Sequence, residues 1–119
     1  MARILIIDDE AILLKNLKMM LEFEDFEVIM CTDGDDALRV LQEYSVDLIL
    51  CDMLMHPLNG FEILQAVQSS VKTSHIPFIF VTGVKWNPAE AEVSGASAYL
   101  IKPFTRTSLL DVIRAFLPA

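Results

Sequence analysis

Short apolar runs alternate along this chain with segments whose apolar residues recur every three or four positions. The first run, Arg3–Asp8, contains four consecutive aliphatic residues without polar alternation, which is typical of a strand buried on both faces. The period then changes, because Leu14, Leu17 and Leu21 lie three and four residues apart. The pattern therefore predicts a strand and then an amphipathic helix from Glu10 to about Phe23.

The same two patterns recur through the rest of the chain. Further strands are predicted at four apolar runs: Phe26–Cys31, Asp47–Cys51, Pro77–Thr82 and Tyr99–Lys102. Further helices are predicted after Thr32-Asp33-Gly34, from Gly60 to about Ser69 with Asn59 and Glu62 as its cap, from Pro88 to just before Gly95, and after Thr105. The buried stripes of two of these helices are predicted as Ala37, Val40, Leu41 and Tyr44, and as Leu109, Val112, Ile113 and Phe116.

Five strand and helix units in strict alternation predict an α/β fold with a parallel sheet, right-handed crossovers and helices on both faces. The 119 residues suffice for one core, and no linker or repeat interrupts the pattern, so we expect a single domain over residues 1–119. In doubly wound sheets, ligands bind beyond the carboxyl ends of the strands. The residues at those ends therefore become the candidates for function.

Composition and charge exclude several classes of protein. Seventeen acidic residues against nine basic ones give a formal charge of −8, which argues against direct nucleic-acid binding and favours cationic partners. No apolar run approaches the length of a membrane span, and the first residues turn acidic too early for a secretory signal. Cys31 and Cys51 lack metal-site spacing and are expected to be small buried residues. We expect a cytoplasmic domain with no membrane partner.

Four predicted strands end in residues that could share one crevice: Asp8-Asp9, Asp52, Thr82 and Lys102. Three carboxylates would repel one another unless they share a cation, and an all-oxygen acidic site suits Mg²⁺. A lysine and a hydroxyl could bind a phosphoryl group beside it. Without a Gly-rich phosphate loop, the nucleophile can be a carboxylate that forms an aspartyl phosphate.

Each residue also has a simpler interpretation. Asp8-Asp9 could stabilise the positive end of the first helix, Thr82 could be a turn residue, and Lys102 could be a surface charge. His56 and His75 are expected to be solvated, and Met53 and Met55 to be packing residues. The functional hypothesis rests on four separate strands ending in complementary chemistry.

With these residues in place, the chain resembles the receiver domains of two-component response regulators from ILIIDDE to the final helix. The family's acidic pair corresponds to Asp8 and Asp9, its phosphoacceptor to Asp52, its hydroxyl to Thr82, and its lysine to Lys102 followed by Pro103. The resemblance implies a flavodoxin-like fold with strand order 2-1-3-4-5.

The resemblance also implies a mechanism. A histidine kinase or histidine phosphotransfer protein would donate a phosphoryl group to Asp52, with Mg²⁺ bound by Asp9, Asp52 and the backbone carbonyl of Leu54, and with Asp8 assisting. Lys102 would pair with the phosphoryl group. Thr82 would then move toward it and Tyr99, the switch aromatic, would rotate inward. This would change the surface formed by the fourth predicted helix, the fifth strand and the last helix. The Lys102–Pro103 bond is expected to be cis.

Three features depart from the family pattern. His56 occupies the position, four residues after the phosphoacceptor, where the family commonly has proline. Leu54 and Val84 are apolar at positions where polar family residues assist the attacking water, so slow self-dephosphorylation is predicted. The fourth predicted helix, which ends before Gly95, is shorter than usual.

The sequence also bears on three alternative functional classes. A Mg²⁺-dependent phosphohydrolase is disfavoured because Leu54 stands where a general acid would be needed. A flavodoxin-like cofactor binder is disfavoured because Asp8-Asp9 would repel a flavin phosphate. A binding module that acts without phosphorylation is disfavoured by the complete set of candidate residues. Met1 directly before the first strand favours a native N-terminus, and the sequence is consistent with a stand-alone regulator or a receiver excised from a longer one.

Overall fold

The computed structural model describes residues 1–55, 57–83 and 94–117. These ranges contain five strands: β1 (Arg3–Ile7), β2 (Glu27–Cys31), β3 (Leu48–Cys51), β4 (Phe78–Thr82) and β5 (Ala98–Ile101). They also contain four helices: α1 (Ala11–Phe23), α2 (Gly34–Glu43), α3 (Gly60–Gln68) and α4 (Arg106–Phe116). The predicted elements among the described residues are therefore present, and the predicted bounds differ from the observed ones by at most one residue.

The strands form one parallel sheet in the order β2-β1-β3-β4-β5, as predicted. The order reverses at β1, which pairs with β2 on one side and β3 on the other. Cys31 and Cys51 are both register partners of Ile7, so these three strands end level with one another. Residues that follow them meet at the carboxyl edge of the sheet, where ligands bind in such folds.

Two hydrophobic layers explain the continuous apolar runs. Along β1, Leu5 and Ile7 belong to a buried cluster with residues of α2 and α3, whereas Ile4 and Ile6 belong to another with residues of α1 and α4. Alternate residues of a strand point to opposite faces, so a strand covered on both sides must be apolar throughout. The sheet is consequently buried between two helical layers.

Local signals at the helix ends are confirmed. Asn59 and Glu62 form a reciprocal capping box at the start of α3, and the Thr105 side chain accepts the backbone N–H of Ser108 in α4. Cys31 and Cys51 are free and buried, as expected. Met53 and Met55 are also buried, and His75 is exposed.

Two predicted core positions are wrong. Tyr44 is 48% exposed because α2 ends at Glu43, and the guanidinium carbon of Arg3 lies 5.7 Å from the centre of its ring. Phe116 is 38% exposed at the last position of α4, where the apolar stripe runs past the edge of the layer.

Some predictions concern residues at or beyond the limits of the described ranges. His56, Val84 and most of the predicted fourth helix lie outside the described residues. Gly95 has a φ of 87°, the left-handed conformation that glycine adopts readily. Within the part of the chain that the structure describes, none of the helices has the length and apolar character needed to cross a membrane.

Candidate functional site

Asp8 and Asp52 lie side by side because each follows a strand that ends level with its neighbour. Asp52 donates its backbone N–H to the carbonyl of Ile7 at 2.9 Å, and Asp8 donates to the carbonyl of Cys31 at 3.1 Å. These bonds extend the ladder one residue past the strand ends. Both side chains are largely buried, with 2% and 7% of the residue exposed. Two carboxylates are thus fixed at the sheet edge.

Asp8 is bound through both of its oxygens. Oδ1 accepts the backbone N–H of Glu10 at 2.9 Å, and Oδ2 accepts the ammonium of Lys102 at 2.9 Å. The first bond joins the carboxylate to the start of α1, and the second joins it to the residue after β5. Asp8 therefore connects the elements on either side of the site.

Lys102 places its ammonium among three carboxylates. Its Nζ lies 2.9 Å from Asp8, 3.3 Å from Glu10 and 3.6 Å from Asp52. Its backbone N–H donates to the carbonyl of Thr82 at 2.7 Å, which fixes the residue against the end of β4. Burial alone would lower the pKa of Lys102, but the hydrogen bond that its ammonium donates to Asp8 and the surrounding negative charges outweigh burial, so the pKa is raised. The ammonium therefore stays charged.

The Lys102–Pro103 peptide is cis, as the family resemblance implied. Thr82 is completely buried as the last residue of β4. Tyr99 is partly buried in β5, is in register with Phe80, and packs against the hydrophobic layer that contains α2 and α3. The two candidate switch residues therefore lie on β4, which pairs with β3, and on β5, which pairs with β4.

Asp52 has a raised pKa for reasons that the geometry explains. Burial is the largest cause, and the charges of Asp8 and Asp9 add to it. The backbone N–H of Leu54, which donates to Asp52 Oδ1 at 3.2 Å, and the charge of Lys102 oppose the shift. The carboxylate is consequently held in a site with an excess of negative charge.

Close packing fixes the backbone under Asp52. Gly60 donates its N–H to the Met53 carbonyl at 3.0 Å, at the first position of α3. A Cβ at this glycine would lie 2.6 Å from the carbonyl oxygen of Asp52 and 2.7 Å from the ring of Phe80. Only glycine allows α3 to begin this close to the strand end.

Among the described residues, the carboxylates that gather around the site are those of Asp8, Glu10 and Asp52, whose oxygens lie within 4.8 Å of one another. The predicted set contained Asp9 in place of Glu10. Asp9 is exposed, and the structure relates it to the site through its charge on Asp52. The prediction has Leu54 offer its backbone carbonyl to the metal, and in the structure the Leu54 backbone N–H donates to Asp52 Oδ1.

The sequence prediction omits Glu10 from the site because the helical pattern places this residue at the start of the first helix. Its backbone is extended and its side chain makes no capping hydrogen bond, so the carboxylate is available to turn toward Lys102. The run of three acids after β1 was the signal that could have identified it.

The donor set fits a small divalent cation. Three carboxylate oxygens at this spacing form the kind of oxygen environment that Mg²⁺ prefers, and the charges of Asp8 and Asp9 already act on the buried Asp52 carboxylate. The residues present are therefore consistent with a metal site.

Comparison with known proteins gives a family for this arrangement. Residues 4–114 match the response regulator receiver domain. The chain belongs to this family. A receiver domain is the expected setting for a buried aspartate after β3, an acidic partner after β1 and a lysine after β5, and the match extends over both hydrophobic layers.

Individual relatives support the assignment. The receiver domain is 39% identical to the transcriptional regulatory protein CpxR of Escherichia coli strain K12, over 98% of this chain and 50% of that protein. It thus spans about half the length of CpxR. It is 34% identical to the protein PilH of Pseudomonas aeruginosa, over 98% of both chains.

Solved structures agree with the fold. The chemotaxis response regulator CheY4 of Vibrio cholerae superposes with a TM-score of 0.91 at 28% identity, covering 98% of this chain and 99% of that one. The response regulator TrrA of Thermotoga maritima, solved in complex with Mg²⁺ and BeF, has a TM-score of 0.88 at 26% identity, covering 98% and 100%.

Proposed function

We propose that Asp52 is the phosphoacceptor of this receiver domain and that its phosphorylation switches the protein between two signalling states. The observation that carries the proposal is the burial of Asp52 at the end of β3, with the Lys102 ammonium 3.6 Å from its Oδ2 and Asp8 beside it. A nucleophile and a charge that can neutralise an incoming phosphoryl group are thus close together.

The proposed donor is a phosphohistidine of a histidine kinase or histidine phosphotransfer protein. A carboxylate oxygen of Asp52 would attack phosphorus, the P–N bond would break, and its electron pair would remain on the imidazole. Phosphoryl transfer needs mainly positioning and neutralisation of charge. Leu54 fixes one carboxylate oxygen by its N–H bond at 3.2 Å, which favours attack by the other.

The proposed metal ligands are Asp9, Asp52 and the Leu54 carbonyl, with Asp8 assisting, and the geometry adds Glu10 as a nearby carboxylate. Mg²⁺, when bound there, would neutralise the acids and coordinate phosphoryl oxygens. Lys102 would pair with the phosphoryl group after transfer, since its ammonium already lies 3.6 Å from Asp52 Oδ2.

The switch would use Thr82 and Tyr99. A phosphoryl group adds roughly two negative charges and three acceptor oxygens, to which the Thr82 hydroxyl could donate. Tyr99 lies in the strand next to β4 and is already partly packed against the core, so an inward rotation would change the surface around β5 and α4. This surface is the proposed contact for a downstream protein.

On this proposal the domain is a switch and not an enzyme for external substrates, since it catalyses only its own phosphorylation and dephosphorylation. The decisive experiment is incubation with acetyl phosphate, with and without Mg²⁺, followed by intact-mass measurement. One Mg²⁺-dependent phosphoryl group is expected in the wild type and in Asp35→Asn, an exposed acid on α2. Asp52→Asn should take up none.

Uptake by Asp52→Asn at the wild-type level would refute the assignment of the phosphoacceptor. If the wild type takes up no phosphoryl group and binds no fluoroberyllate, the domain is instead a binding module that acts without phosphorylation.

A further inference from the structure

We infer that Glu10 is a positioning residue that restrains Lys102 before phosphorylation. This inference rests on the proposed function, and it assigns Glu10 a role beyond its place among the three carboxylates that fit a metal ion. The Glu10 carboxylate lies 3.3 Å from the Lys102 ammonium, whereas the Asp52 carboxylate lies 3.6 Å away. In this state the ammonium is hydrogen-bonded to Asp8 and Glu10, on the α1 side of the site.

The local structure directs Glu10 to this contact. Glu10 occupies the N-cap position of α1, yet its side chain makes no capping hydrogen bond. Its backbone N–H is bound to Asp8 Oδ1, and its carbonyl accepts the N–H of Leu14. The backbone is therefore fixed at both ends while the side chain extends toward Lys102.

The two partners of Lys102 differ in burial, which gives them different roles. The side chain of Asp8 is 3% exposed, so separating it from its cation would leave a desolvated charge. The side chain of Glu10 is 63% exposed, and water can replace the ammonium there. The contact with Asp8 is expected to persist, and the contact with Glu10 is the one that can exchange.

Phosphorylation supplies a competitor for the ammonium. A phosphoryl group on Asp52 carries up to two negative charges, against one on Glu10. Lys102 would then shift from Glu10 toward the phosphoryl group while remaining on Asp8. That movement requires the contact between Glu10 and Lys102 to break. Glu10 therefore disfavours the phosphorylated state by the free energy of a partly exposed ion pair, which corresponds to a two- to five-fold lower affinity for a phosphoryl mimic.

The test measures binding of fluoroberyllate, a phosphoryl mimic, at saturating Mg²⁺. Glu10→Gln removes the charge, Glu10→Asp keeps the charge but shortens the side chain, and Glu22→Gln is a matched exposed acid on α1. Both Glu10 variants should bind fluoroberyllate two to five times more tightly than the wild type, whereas Glu22→Gln should match the wild type. If Glu10→Asp matches the wild type, a general charge effect explains the result and the inference is wrong.

A titration with Mg²⁺ alone separates this role from metal binding. If Glu10 were mainly a metal ligand, Glu10→Gln would weaken Mg²⁺ binding and also weaken fluoroberyllate binding, which would overturn the inference. Loss of fluoroberyllate binding in the wild type would instead contradict the proposed function.

A second measurement needs no phosphoryl mimic. The mobility of the Lys102 ammonium can be followed by NMR of its side-chain nitrogen in the metal-free protein. Its order parameter should fall in both Glu10 variants and stay unchanged in Glu22→Gln. An unchanged order parameter in all variants would show that Glu10 does not restrain Lys102, whatever the phosphorylation result.

Discussion

Replacing Lys102 by Met should strongly destabilise the metal-free domain. The substitution keeps an unbranched apolar side chain but removes the ammonium from Asp8, whose side chain is only 3% exposed. Removing one partner of a buried ion pair costs about 3–5 kcal/mol. Because the Lys102 side chain is itself 18% exposed, the lower end applies and we expect a loss of about 3 kcal/mol.

Urea unfolding measures this loss. With a slope of about 2 kcal/mol/M, the midpoint of Lys102→Met should fall by about 1.5 M relative to the wild type. Lys15→Met, which removes the same charge from an exposed position of α1, is the control and should change the free energy of unfolding by less than about 0.5 kcal/mol.

Mg²⁺ should reduce the difference. A cation that binds the folded state at a concentration 100 times its Kd adds about 2.7 kcal/mol of stability. In Lys102→Met the cation also neutralises the buried charge of Asp8 that has lost its ammonium partner, so the stabilising effect of Mg²⁺ should exceed that in the wild type. A metal-free loss below about 1 kcal/mol, as for an ordinary surface ion pair, would refute the reasoning, because Asp8 would then not depend on Lys102.

Three further predictions concern the residues of this site. Gly60→Val should destabilise the domain by about 3 kcal/mol in thermal or urea unfolding, because the new Cβ would meet the Asp52 carbonyl. Gly83→Val is the control, since a Cβ there has open space, and similar losses in both variants would contradict the packing argument. The pKa of Asp52 is raised, so its neutral form is favoured in the folded state, and this contribution to stability is lost as pH rises through the folded pKa. Asp52→Asn should therefore have a higher melting temperature than the wild type at neutral pH without Mg²⁺, and the difference should disappear on acidification. A lower melting temperature would show that the attraction between Asp52 and Lys102 outweighs the cost of burying the Asp52 charge. Self-dephosphorylation should be slow, and a Leu54→Asn, Val84→Glu double variant should shorten the lifetime of the phosphoryl group on Asp52; little change in that lifetime would contradict the role of these two positions.

The fold could be predicted from the sequence because its signals are local and mutually consistent. Continuous apolar runs identified strands covered on both faces, and Asn59 with Glu62 marked the start of α3 within one residue. The prediction that Tyr44 is buried was wrong because helical periodicity does not show where a helix ends, and α2 ends just before this residue. The prediction that Phe116 is buried was wrong because the apolar stripe of a helix can continue past the hydrophobic layer against which the helix packs.

The site was predicted in part. Strand ends identified Asp8, Asp52 and Lys102, since parallel strands gather their carboxyl ends at one edge. Glu10 could not be chosen over Asp9 in this way. The choice depends on which of the two side chains faces the Lys102 ammonium, and in the structure Glu10 does so from 92 residues away in the sequence. A contact of this kind is a tertiary feature that residue spacing does not encode.

The separation of the core into two layers affects how such a domain can diversify. Each inward-facing residue of β1 contacts one layer, so substitutions that repack α1 against α4 leave the packing of α2 against α3 unchanged. Asp8 and Asp52 are attached to strands that both layers share. Evolution can therefore alter the outer helices, and with them the choice of partner, independently on the two sides while the spacing of the acids is inherited intact.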